Sequence, residues 1–227
     1  MKLLFFSLIF FTLPLKAFYL LPENHPLREP LTKLFLDPSP LESPEKLFEK
    51  GFKAIALKKQ GTLFIGTHPT LPGYVLKFYL LPATTDEATS NYHTLLQRCR
   101  GAKKIRDLLK SRQSTLFTVP DKWLYELPYS SKAYPLYILL ATDMQILNLT
   151  ESASAWKHKV TKEHLEELLA IIKIGSASTG LTKNVPYTKS GRFAFIDTEY
   201  PDRQLDLTEF TRYFSEEMQK VWKEICH

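Results

Sequence analysis

Apolar and polar positions alternate along residues 52–80 in a way that predicts three antiparallel strands: 52–57, 62–66 and 74–80. Lys58-Lys59-Gln60-Gly61 supplies the first turn, and a loop holding Pro69, Pro72 and Gly73 the second connection. In the third strand the alternation sends Val75, Lys77 and Tyr79 to one face and Leu76 and Phe78 to the other. The period then switches from two to that of a helix. Tyr92, Leu95, Leu96, Cys99, Ala102, Ile105, Leu108 and Leu109 recur at helical spacing behind a capping box of Thr84 and Glu87, with Gly101 as a point where the helix could bend. Residues 116–125 and 136–141 read as two more strands, the second apolar on both faces as a central strand must be. A helix over 161–172 follows, with Thr161 as cap, acids in its first turns and Leu165, Leu168, Leu169 and Ile172 as its apolar stripe. A last helix starts after Asp206, with Glu209 completing its capping box and Phe210, Tyr213, Phe214, Met218, Val221, Trp222 and Ile225 on its broad apolar face. The fold class predicted is α+β, with five antiparallel strands first and helices after them.

The two ends of the order-bearing part behave differently. Residues 1–17 have a basic Lys2, an apolar run and a small-residue site at Ala17, which predicts an export signal and an exported chain, periplasmic or secreted. Retained, the same segment would be the membrane anchor; no second transmembrane candidate follows. Residues 18–44 hold Pro22, Pro26, Pro30, Pro38, Pro40 and Pro44, a density that forbids long helices and inner strands. They are expected to lie over the domain as an arm with a short helix near 31–36. The net charge of +6 on 227 residues is spread among both signs. The run Arg98, Arg100, Lys103, Lys104, Arg106 reads as the solvated face of its helix, and no nucleic-acid partner is expected. Cys99 and Cys226 are read as two thiols, with a disulfide between them left open.

The stretch 181–200 carries the candidate chemistry. Asn184-Val185-Pro186 leads into a first short strand, Lys189-Ser190-Gly191 forms the turn, and 192–196 is the second strand, ending on Asp197. Asn184 and Asp197 are thereby expected near one end of a single hairpin. Two oxygen-bearing side chains so placed suit a hard cation such as Mg²⁺.

This arrangement resembles the catalytic-loop Asn and metal-binding Asp of the protein-kinase-like superfamily, which includes the aminoglycoside phosphotransferases. The resemblance covers about residues 52–200 and rests on order and spacing. It implies a two-lobed fold, with a five-stranded antiparallel N-lobe over 45–142 and a reduced helical C-lobe over 143–227. It implies Mg²⁺ and ATP as ligands, with Asn184 and Asp197 on the metal, I-D-T-E in the place of D-F-G, and Lys77 in V-L-K-F-Y on the nucleotide phosphates. Asp143 and Met144 would form the hinge beside an adenine. Glu87 is the one glutamate in the long helix that could pair with Lys77, although capping suits it better.

Three departures shape the function expected. The place of the kinase base, five residues before the Asn, holds Thr179, and 176–183 contains no acid. The first turn has the single glycine Gly61 where kinases have a glycine-rich loop, and thirty residues follow Asp197, far fewer than kinases use for substrates. No catalytic residue is therefore assigned. The reading is an exported pseudokinase-type module that binds a nucleotide or a protein partner. Two alternatives stay open: a phosphotransferase using Glu199 or Asp202 as base, and an exported interaction protein presenting Trp123, Tyr125, Tyr129 and Tyr134 as an aromatic patch.

Overall fold

Alternation along β3 (Tyr74–Tyr79) sorts its side chains between two opposite cores, and the neighbouring strands obey the same sorting. The computed structural model describes residues 18–58, 62–175, 178–199 and 205–226. Within them β1 (Lys53–Lys58), β2 (Leu63–Thr67), β3, β5 (Lys122–Glu126) and β6 (Tyr137–Thr142) form one antiparallel sheet in the order β1-β2-β3-β6-β5. The register sets Lys77 opposite Leu139 and Lys122 opposite Ala141. Residues two apart on β6 share a face, so both lysines point to the same side of the sheet. β6 is buried along most of its length, as its continuous apolar run requires. The expected α+β class with a five-stranded antiparallel sheet is borne out.

The face carrying Leu76, Phe78, Ile138, Leu140 and Tyr125 is covered by the proline-rich arm. Its helix α1 (Arg28–Leu34), a 3-10 turn at Ser39–Leu41 and α2 (Pro44–Glu49) bring Leu31, Phe35, Leu41 and Leu47 down on it. Proline confines these helices to a turn or two, and three sit near helix starts, where a missing N–H costs nothing. The arm is thus core packing. Leu21 N donates to Leu124 O at 2.8 Å, which caps the outer edge of β5 with backbone. Trp123, Tyr125, Tyr129 and Tyr134 pack into this core, so they make no exposed aromatic patch.

The other face meets α3 (Thr85–Ser111), an unbroken helix of 27 residues. Thr84 accepts from Glu87 N at 3.2 Å while Glu87 accepts from Ala83 N at 2.9 Å, so Glu87 is spent on the helix end. Gly101 does not bend α3. A Cβ there would lie 2.3 Å from Thr198 O, so the missing side chain lets the 196–199 segment sit against the helix backbone.

The strand expected over 116–125 divides at Pro120. β4 (Phe117–Thr118) leaves the sheet and pairs in parallel with β7 (Phe193–Ala194), while β5 stays. A proline cannot donate to a ladder, and here it marks where one strand serves two cores. The helical half comprises α4 (Leu149–His158), α5 (Lys162–Lys173), α6 (Leu181–Asn184) and α7 (Glu216–Cys226), packed around Trp156, Phe193, Phe195, Phe214 and Trp222. α4, capped by Asn148 and Glu151, was not anticipated. The single helix expected after Asp206 is two: a 3-10 turn at Leu207–Tyr213, then α7, separated by extended Phe214. Asp206 caps the first by accepting from Thr208 N at 2.9 Å, which leaves Glu209 outside any box. Cys99 is buried and Cys226 half-buried, and both are free thiols. The export signal and the turn at Gly61 lie outside the described residues; no helix among those described is long and apolar enough to cross a membrane.

Candidate functional site

Between the sheet and the helical half lies a cavity of about 440 Å³. Lys77 from β3, Asn184 from the end of α6 and Asp197 from the segment after β7 all line it. So do Asp143 and Met144 from the connection after β6. Residues separated by more than a hundred positions thus reach one space.

The late hairpin forms with a difference. Thr188 N donates to Arg192 O at 2.9 Å and Gly191 takes φ +82°, so the turn at 189–191 is as expected. Asn184, expected to lead into a strand, instead ends the short helix α6. Ile196 N donates to Asn184 O at 3.0 Å, which seats Asp197 beside Asn184. The side-chain amide of Asn184 donates to Ser178 Oγ at 2.6 Å, which turns its nitrogen away and fixes the side chain.

Lys77 is 7 % exposed. Among the described residues its ammonium has no hydrogen-bond or ion-pair partner. Burial, with Arg98 nearby adding to it, pushes this amine down to about 8, and Asp197 opposes the shift. Apolar side chains make much of the rest of the cavity's lining. Ile55, Ile146 and Leu149, three of the large hydrophobic residues this protein leaves exposed, all face it with Val75 and Met144. Exposed Lys58 and Lys183 line it as well.

One residue of this site was misread. Arg98, placed by sequence on a solvated helix face, is 3 % exposed. Its guanidinium donates to Asp197 Oδ1 at 2.5 Å and to the carboxylate of Glu199. The periodicity held the signal: Arg98 is three residues after Leu95 and four before Ala102, on the stripe that enters the core. Lys122, also unassigned, is buried and donates to Ile196 O at 3.1 Å and Thr198 Oγ1 at 2.8 Å; Thr198 in turn donates to Arg98 O at 2.6 Å. Burial alone would raise the Asp197 carboxyl, but Lys77, Arg98 and Lys122 together hold it below its ordinary value. Desolvation and the neighbouring Lys77 put Lys122 well below the usual lysine range.

The same contacts bear on catalysis. Glu199, a candidate base, is bound to Arg98; Asp202 lies outside the described residues. Thr179 stands in the described part of the loop, where 178–183 offers no carboxylate.

The magnesium implied by the resemblance fits these residues poorly. Asp197 already has a guanidinium on one oxygen and three cations around it. No cluster of three metal-ligating His, Cys, Asp or Glu occurs among the described residues.

No known protein family matches the chain, and no curated protein does. Among solved structures, an apo pseudokinase matches with a TM-score of 0.36 at 11% identity, over 77% of this chain and 65% of that one. The chain therefore spans a little under two thirds of that pseudokinase, and an overlap this loose assigns no family.

Proposed function

We propose that the chain is an exported, pseudokinase-type module that binds a nucleotide, or a small ligand of like chemistry, in the cleft between sheet and helices. The observation that carries the reading is the convergence of Lys77, Asn184 and Asp197 on one cavity whose remaining lining is largely apolar. A buried cation beside an apolar slot matches a ligand with a flat hydrophobic part and an anionic part. Order along the chain supports it too: strand lysine, long helix, central strand, connection at Asp143, then the Asn and Asp. Export rests on the composition of residues 1–17.

Phosphoryl transfer is not part of the reading. Asp197 and Glu199 are held by Arg98, Asp143 on the cavity wall accepts from Gln145 N at 2.9 Å, and losing a general base costs ~10²–10⁴ in rate. Incubation with radiolabelled ATP should transfer no label to protein or small acceptors. Binding is tested by melting the protein with millimolar ATP. A ligand at 100 times its Kd stabilises by about 2.7 kcal/mol, which raises the melting temperature by several degrees in a chain of this size. The rise should vanish in Lys77→Met. No rise in the natural sequence at millimolar ATP overturns the proposal.

A further inference from the structure

Arg98 stands where it competes with any metal for Asp197. It comes from the middle of α3, is almost wholly buried, and bridges Asp197 and Glu199 with separate nitrogens of one guanidinium. Neither acid is much exposed: 19 % for the Asp197 side chain and 16 % for Glu199. A divalent cation bridging these acids would have to sit beside, or displace, a fixed and permanently charged group that already bonds one oxygen of each. It would also meet Lys77 and Lys122, which already crowd Asp197 with positive charge. Lys122 cannot swing aside, since Ile196 O and Thr198 Oγ1 hold its ammonium. Gly101 locks the same segment against α3, with Thr198 O where a side chain would otherwise be.

Lys77 is the counterpart. It is over nine-tenths buried, lines the cavity and has no partner among the described residues. Burying an ammonium without a partner is costly, and a site retains one where something brings the opposite charge. Arg98 is the cation bonded to both acids, and Lys77 makes no direct ion pair with Asp197 or Glu199, although Asp197 is near enough to oppose its shift.

We infer that the cleft holds its anionic ligand directly on Lys77 without a divalent metal, Arg98 acting as a built-in cation in the place a metal would take beside Asp197. The inference rests on the nucleotide-cleft reading above, and it makes the ligand a metal-free nucleotide or organic phosphate. Lys58 and Lys183, exposed on the same cavity, add charge of the right sign for such a ligand and the wrong sign for Mg²⁺.

Calorimetric titration with ATP, once with excess Mg²⁺ and once in EDTA, separates the two ideas. The inference expects dissociation constants within about threefold of each other, and loss of binding in Lys77→Met under both conditions. Binding that weakens tenfold or more in EDTA overturns it while leaving the nucleotide reading standing. Absence of binding in both buffers overturns that reading and this inference with it. Mn²⁺ alone, followed by electron paramagnetic resonance, gives a second readout on the natural sequence: no bound Mn²⁺ is expected at millimolar metal, and stoichiometric binding suppressed by Asp197→Asn would sink the idea. In Arg98→Gln, checked for folding by circular dichroism, Asp197 and Glu199 are released, and Mn²⁺ binding should appear.

Discussion

Two lysines on one face of one sheet have opposite fates. Lys122 on β5 and Lys77 on β3 are both buried, and both sit opposite the same stretch of β6. Lys122 is satisfied: a carbonyl and a hydroxyl from the 196–198 segment receive its protons. Lys77 faces the cavity with nothing bound to it among the described residues. The first is a bracket that fixes the loop after β7. The second is a charge held ready. Burial of a charged group alone therefore does not mark function; its unmet hydrogen-bonding capacity does.

That contrast can be broken by substitution, and the largest effect belongs to the arginine between the two lysines. Arg98→Ala leaves the half-buried Asp197 and Glu199 without this buried partner and should cost about 3–5 kcal/mol in urea unfolding. If the loss is within 1 kcal/mol, the bridge is not holding the loop. Gly101→Ala comes next. Helix propensity favours alanine by about 1 kcal/mol, yet its Cβ would meet Thr198 O at 2.3 Å. Overpacking against backbone costs about 1–3 kcal/mol or more, so the net change should be destabilising. A more stable variant would show that the segment sits away from α3.

Lys122→Met and Lys77→Met sharpen the comparison directly, because they should differ in sign. The first strips donors from Ile196 O and Thr198 Oγ1 and should cost about 1–3 kcal/mol. The second removes a desolvated cation that bonds to nothing among the described residues and should be neutral or stabilising by about 1 kcal/mol, while ending ligand binding. Equal losses in both would erase the distinction between them. The gentlest probe is pH. Lys77 has a folded value of about 8 against an ordinary 10.5, so between those limits the folded chain releases its proton while the unfolded chain keeps it. Stability then rises with pH, by at most about 1.4 kcal/mol per pH unit for this lysine. Lys122, shifted in the same direction, adds to the slope. Burial pushes Cys99 up to about 12, which works in the opposite direction over the same range, so the difference isolates Lys77: an unchanged slope from pH 8 to 10 in Lys77→Met would contradict the burial assigned to it.

Much of the site was legible because its parts obey local rules. Period-two alternation put Lys77 on a defined face, and the glycine turn at 191 with its flanking polar ends brought Asn184 and Asp197 together. The continuous apolar run at 137–141 marked the central strand. Arg98 was misjudged because charge was weighed above position, although its place on the Leu95–Ala102 stripe pointed inward. The split of 116–125 was missed for another reason: nothing local says that Phe117 will pair with Phe193, a partner 76 residues away. The aromatic residues near 123–134 were misjudged because the arm that covers them lies far earlier in the chain, at residues 21–47.

By itself the sequence determined the α+β class, the long capped helix and the central strand, since each follows from periodicity or capping within a short window. The tertiary structure alone decided which charges meet. Arg98 and Asp197 lie 99 positions apart, and Lys122 and Thr198 lie 76 apart. Whether a buried cation finds a carboxylate, a hydroxyl or an open cavity depends on distance in space, and no window along the chain contains that distance.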